Sequence, residues 1–555
     1  MDLENRIDQG LGRTPADVVI RHVEIFHLTT GERQVGDIAV CGKYIVGVGE
    51  SYEGRTVIDG SGLTAVPGFI DSHVHVESTL LAPYTYERMV LPHGVTTAIC
   101  DPHELVNVCG ISALQYFLDC ASGMCMDLLV GASSCVPATG VEYGGAKVLA
   151  ADLAPYANHP GIVGLAELMN VPGVLSKDPE LLEKLRLFPD RVDGHAPLLG
   201  GRELNAYLAA GARNCHETGS PEEAHEKIRK GMQVLIREGS AARNLEALLP
   251  LITPELAPFL CFCTDDLSPL DVSTRGHMDG MIARALAAGC DPLAVYRVAS
   301  WSAACHFGLK DRGLIAPGQL ADIVLLSDWK TCRVAKVLKG GKLVDEAVFA
   351  ARPAEPSAGF ALHSVRREPV SAEELEPPVS GAEQWVIGLN PGSLITEKRK
   401  MKLPAPDVVR LAVLERYGRG WPAALGHVQG LGLKQGALAC SIGHDSHHIT
   451  VAGTNAADMA MAANELIRNG GGYSVVCNGR LLHSLTLEIG GLLTRMAHEE
   501  LCAALADLRE AARSLGCVGE SPFEPLCFMS LPVIPHLRLT SRGLFDVDAF
   551  NLIQG

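Results

Sequence analysis

From Val66 to Asp265, short apolar runs rich in β-branched residues alternate with stretches whose apolar positions recur at helical spacing. Eight of the runs read as strands: Val66–His75, Val95–Asp101, Met126–Ala132, Ile162–Glu167, Arg191–His195, Ala212–His216, Met232–Glu238 and Phe259–Asp265. The intervening helical segments include Pro179–Arg186, Gly201–Ala210, Pro221–Arg229 and Asn244–Leu249. Eight successive β-α units predict a (β/α)8 barrel over residues 67–316. A doubly wound sheet is the rival, but no G-x-G-x-x-G follows the first strand.

Alternating strand patterns flank this region. Asp17–His27, Val35–Val40 and Lys43–Val48 lie before it, and Gly318–Leu326 and Val334–Leu338 after it. Residues 1–66 and 317–350 are therefore expected to form one composite β-sandwich into which the barrel is inserted. Residues 351–380 are rich in Pro, Ala and charge and read as a linker. Residues 381–555 are expected to be a separate α/β domain. Its clearest helix is Ala456–Arg468, with Asn455 as N-cap and Gly470 as the stop.

Charge narrows the function classes. Forty-seven Lys and Arg against 64 Asp and Glu give −17, which argues against a nucleic-acid binder. Hydrophobic residues at 47% and charged residues at 20% describe a globular chain. No apolar run approaches the roughly 18 residues of a spanning helix. The first ten residues, MDLENRIDQG, lack the apolar core of a signal peptide. With 17 cysteines in no disulfide-module spacing, free thiols in a reducing cytoplasm are expected. Cys261-x-Cys263 does not fit the H-x-E…P-C-x-x-C signature of one-zinc base deaminases, and reads as buried apolar packing.

The 20 histidines carry more information, through their positions. In Pro67–His75 (PGFIDSHVH), His73 and His75 are two apart on a strand and project to the same side, with Asp71 on the same row. Glu167 ends the fourth predicted strand, His195 the fifth, His216 the sixth and Asp265 the eighth. One such residue could be chance. Six at the strand ends where barrel active sites collect supply four imidazoles and two carboxylates, enough for two metal ions.

Pro67–His75 and Ile315–Val324 (IAPGQLADIV) resemble the metal-dependent amidohydrolases. Glu77-Ser78, Leu91–Thr97 (LPHGVTT), Asp101–Glu104 (DPHE), the AELMN stretch around Glu167 and Cys263–Asp266 (CTDD) resemble more closely the adenine deaminase family within them. So do Gly443–His447 (GHDSH) and Leu531–Pro535 (LPVIP). The resemblance implies that His73 and His75 hold one divalent ion, His195 and His216 another, and that Glu167 bridges them. Asp265 would bind metal and carry protons. The ions would be manganese or iron, with zinc also compatible. The implied reaction is attack of hydroxide on C6 of adenine, giving hypoxanthine and ammonia for purine salvage. His103 or Glu104 is the candidate second acid; both serve equally well as support for metal ligands. His444, Asp445 and His447 would reach over the barrel mouth to substrate or an additional metal, or else order a turn. His448 stands where the family has Asn. A homo-oligomer, a dimer by family, is also implied.

Two alternatives stay open. One is another amidohydrolase acting on a related purine or a cyclic amidine or amide. The other is a non-enzymatic scaffold, although all six metal-type positions are retained. His277 and Asp279 either line the pocket or cap a helix. Lys398–Lys402 (KRKMK) is expected to be a solvated surface turn, and Gly470–Gly472 a helix stop.

Overall fold

The computed structural model describes residues 3–189, 191–377, 383–390, 393–519 and 521–553. Eight parallel strands form a barrel: β1 (Phe69–Val74), β2 (Val95–Cys100), β3 (Asp127–Ser133), β4 (Ile162–Leu168), β5 (Val192–Gly194), β6 (Asn214–Cys215), β7 (Gln233–Arg237) and β8 (Leu260–Cys263). Hydrogen bonds run continuously from β1 to β5 and from β6 to β8. Bridges from Val192 to Ala212 and from Val74 to Asp265 join the two arcs and close the ring. All eight fall where the apolar runs place them. The outer helices start where the sequence marks them. At Pro179–Leu187 and Pro221–Arg229, Asp178 and Ser220 accept from the backbone N–H three residues on, and proline occupies the first turn.

The two flanking segments meet in one sheet. Strand Thr64–Pro67 pairs with Ala16–Phe26 on one side and with Ile323–Asp328 on the other. Eight strands are hydrogen-bonded in a single sheet rather than two stacked ones. It closes on itself, because Tyr44 bridges to Leu320 and the Ile45 N–H donates to Gln319 O at 2.8 Å. Ile20, Ile25, Ile38, Ile323 and Leu325 fill the enclosed core. A short helix, Leu3–Gly10, precedes the sheet and has no counterpart in the predicted elements. Lys339 fixes the sheet to the barrel, with its Nζ 2.6 Å from Asp322 Oδ2 and 2.6 Å from Asp127 Oδ2 at the start of β3.

The stretch expected to be a linker is packed along much of its length. Ala361 and Leu375 are fully buried, and the Arg366 N–H donates to Arg416 O at 2.7 Å. Beyond it stands a second eight-stranded sheet carrying helices Ala456–Asn469 and His498–Ser514. Asn455 caps the first of these and Gly470 ends it at φ 82°. A Cβ at Gly472 would lie 1.8 Å from Leu485 O, so only glycine allows that sheet to follow. The basic run is not a turn. Its Lys398–Met401 part lies on edge strand Ser393–Met401, where Lys398 Nζ reaches Asp548 Oδ2 at 2.6 Å and also contacts Asp546. Long basic side chains on an edge strand discourage further strand pairing. Among the described residues no helix is long and apolar enough to cross a membrane.

Candidate metal centre

The C-terminal ends of the barrel strands bring the six predicted residues together. His73 Nε2 and His75 Nε2, at the end of β1, are 3.2 Å apart. Asp265 Oδ1 is 3.5 Å from the first and 3.2 Å from the second. Asp265 follows β8 at φ 56°, a left-handed conformation costly for a residue with a side chain. It is held there by main-chain bonds, Asp265 N–H to His73 O at 2.9 Å and His75 N–H to Asp265 O at 3.2 Å. Asp71, on the same row as the two histidines, points inward but accepts from Thr264 N–H at 3.1 Å and Thr264 Oγ1 at 2.5 Å. It thereby fixes the residue before Asp265.

Glu167, at the end of β4, lies between two groups of imidazoles. Its Oε1 is 2.6 Å from His195 Nδ1 and 3.1 Å from His216 Nε2. Its Oε2 is 3.5 Å from His75 Nε2 and 3.4 Å from His103 Nδ1. The His73 and His216 rings stack with centroids 4.1 Å apart. Gly194 makes the β5–β6 approach possible, since a Cβ there would meet Asn214 O at 2.2 Å.

The fit to a cation follows from the nitrogens. His73 Nδ1 is 2.7 Å from Asp193 Oδ2, and His75 Nδ1 is 2.9 Å from Asp101 O. In the neutral rings these acceptors take the Nδ1 proton, which leaves two Nε2 lone pairs facing each other in a buried space. Two acceptors so close repel unless a cation lies between them, and the anchoring of the far nitrogen is what metal-ligating histidines show. Glu167 Oε2 is buried without a hydrogen-bond partner. His73, His75 and Asp265 form one group with metal-binding geometry, and Glu167, His195 and His216 another. These buried clusters have the donors that divalent metals take.

The electrostatics agree. Burial alone would raise the Asp265 pKa, but Arg237 and the neighbouring imidazoles hold it well below the usual carboxylate range. Burial likewise acts against Glu167, and His195 and His216 more than offset it. Arg237 was not singled out from the sequence. It comes from β7, donates to Asp265 Oδ2 at 2.7 Å, and is paired with Glu217 through Nη2 at 2.9 Å. Asp193 was also missed, although its i, i+2 relation to His195 on a strand was readable.

His103 and Glu104 part company. His103 Nδ1 is 3.1 Å from Asp101 Oδ2 and joins His75 and Glu167 in a metal-type group. Glu104, with Oε1 3.8 Å from His103 Nε2, contacts both His444 Nδ1 and His447 Nε2. Those histidines belong to the loop joining strands Ala437–Cys440 and Ile449–Gly453. Backbone and side-chain bonds set the loop over the barrel: His444 N–H to Cys527 O at 2.9 Å, Tyr417 OH to Ser446 O at 2.6 Å, and Ser446 Oγ to Glu142 Oε1 at 2.7 Å. Asp445 Oδ1 stands 3.8 Å from His103 Nε2. His277 and Asp279 serve the helix and the barrel wall. Asp279 Oδ1 accepts from the His277 and Gly280 N–H groups, and Asp279 Oδ2 lies 2.9 Å from His93 Nδ1.

Above the cluster is a cavity of about 950 Å³. His75, Glu167, His195, Arg237 and Asp265 form its floor, and His444, Phe528, Leu531 and Ile534 from the C-terminal domain line the other side. Cys261 and Cys263 are fully buried in β8. Among the described residues all 17 cysteines are free.

Residues 64–344 match the Amidohydrolase family, and residues 393–551 match the Adenine deaminase C-terminal domain. An adenine deaminase of Methylobacterium nodulans is 52% identical, the match covering 100% of this chain and 99% of that protein. One of Cereibacter sphaeroides is 51% identical over 99% of each. Adenine deaminase 1 of Agrobacterium fabrum is 50% identical over 100% of this chain and 98% of that one. With identity of this level running the length of the chain, the protein belongs to the adenine deaminase family of the amidohydrolases.

Proposed function

We propose that this protein hydrolyses adenine to hypoxanthine and ammonia, as part of purine salvage in the cytoplasm. The observation that carries the reading is the convergence of His73, His75, Glu167, His195, His216 and Asp265 in one cluster, four of which (His75, Glu167, His195 and Asp265) line the cavity, in a chain that matches adenine deaminases along its length. His73, His75 and Asp265 would hold one divalent ion, His195 and His216 the other, with Glu167 shared. Manganese or iron suits these donors, and zinc is also compatible. Such ions, when bound, depress the pKa of water and supply hydroxide near neutral pH.

The side chains account for the remaining steps. Asp265, its pKa held down by Arg237, faces the cluster through Oδ1, where it can accept the proton of the attacking water and return it to the departing amine. Arg237 fixes Oδ2 and thereby turns Oδ1 toward the cluster, where metal and the attacking water would meet it. Glu104 is held as a carboxylate by His444 and His447, its pKa well below the usual range, which suits it to accept from a ring N–H of the purine. His103, bonded to Asp101 beside Glu167, supports the metal ligands. The apolar wall formed by Phe528, Leu531 and Ile534 suits a planar base and keeps bulk water from it.

The assignment extends to architecture. Residues 1–66 with 317–350 form a composite β-domain, 67–316 the catalytic barrel, 351–380 the connection, and 381–555 the domain that roofs the cavity. The assembly is a homo-oligomer, a dimer by family. Ammonia release from a panel of purines, pyrimidines and cyclic imides tests the substrate. Adenine is expected to lead the panel by at least tenfold in kcat/KM. A cyclic imide or another purine in first place would transfer the reading to a different amidohydrolase activity.

A further inference from the structure

A second cavity of about 230 Å³ adjoins the first. Glu104, Asp266, His444 and Phe528 line both and form the partition between them. The second cavity has a carboxylate that the metal cluster does not use. Glu77 is only 4% exposed. Its Oε1 accepts from the Leu105 N–H at 3.1 Å, while its Oε2 is buried without a hydrogen-bond partner. Asp266, next to Asp265 in the chain, accepts from the Ser78 hydroxyl.

The charges around this second cavity are unevenly matched. Glu104 is matched by His444 and His447. Neither Glu77 nor Asp266 has an ion-pair partner among the described residues. The cavity's arginines are Arg243, exposed and 3.8 Å from Asp271, and the half-buried Arg509. A buried carboxylate with a free oxygen and no counter-charge is costly, and a small cation removes the cost. Oxygen donors with spare lone pairs suit either the N–H groups of ammonium or a hard metal ion.

We propose that Glu77 and Asp266, with Glu104 in the shared partition, form a second cation site outside the two-ion cluster, and that its occupant is the ammonium released from the substrate. Hydrolysis breaks the C6–N bond as water oxygen bonds to C6, giving hypoxanthine and ammonia, and the ammonia then takes a proton from solvent water and becomes ammonium. Asp266 borders both cavities beside Asp265, so ammonium leaving the proton-carrying carboxylate meets this site next. The choice of ammonium rests on the deamination reading. The cation site does not.

Crystals of the manganese-loaded protein soaked in thallium(I) acetate test it, thallium(I) being a monovalent stand-in for ammonium. The expected result is an anomalous thallium peak beside Glu77 Oε2 that ammonium chloride displaces. The peak is expected to disappear in Glu77→Gln, which keeps the acceptor for the Leu105 N–H, and to weaken in Asp266→Asn. A manganese peak in the same place, lost in the same variants, would uphold the cation site and assign it to divalent metal instead. Absence of both peaks from the wild-type crystal, or a peak unchanged in both variants, would overturn the proposal. None of these readings depends on turnover of adenine.

Discussion

Glu167→Ala is expected to lower kcat on adenine by about 10³-fold or more and to leave fewer than two metal equivalents bound. Glu167 reaches both imidazole groups, with Oε1 at 2.6 Å from His195 and Oε2 at 3.5 Å from His75. Without it, His216 loses its only carboxylate within 3.5 Å among the described residues, and the two halves of the cluster lose a common ligand. Metal assistance contributes several kcal/mol to such reactions, and each ~1.4 kcal/mol is a factor of ten in rate. The check is metal analysis alongside steady-state kinetics. Normal turnover with two bound ions would remove the bridging role from Glu167.

Asp265→Asn is expected to lower kcat by about 10²- to 10⁴-fold, the range of a lost general acid-base group, with a much smaller change in KM. Asparagine keeps the shape and accepts the Arg237 bond, but it cannot take a proton from the attacking water. His73 and His75 stay in place with their Nδ1 anchors at Asp193 and Asp101 O, so most of the bound metal is expected to remain. The discriminating readout is kcat against metal content. A variant that loses metal in proportion to activity would make Asp265 a ligand only. A variant with unchanged kcat would remove it from the chemistry.

The barrel was legible because each of its strands is a compact apolar run and because proline after Asp or Ser marks helix starts. The cluster was legible because its six residues stand at the ends of those runs. Other features depend on long-range partners that no local pattern reports. The flanking sheet closes through Tyr44 and Leu320, which lie at opposite ends of the inserted barrel. The stretch read as a linker is rich in proline and charge, yet Leu375 packs with Ala412 and Met459 in a core of the C-terminal domain. Arg237 ends a strand, where an arginine usually means solvent; its burial follows from Glu217 and Asp265, on neighbouring strand ends. Glu104 and His103 are adjacent and looked interchangeable. Only the arrival of His447, 343 residues later in the chain, separates their roles.

The most direct measurement is a metal titration of the stripped protein, with adenine turnover followed by its ultraviolet change. Two ions held by His73, His75, His195, His216, Asp265 and the shared Glu167 predict activity that rises with added manganese and levels off at two equivalents per chain, with hypoxanthine and ammonia formed in equal amounts. A plateau at one equivalent, or no hypoxanthine at any manganese level, would contradict a two-ion adenine deaminase.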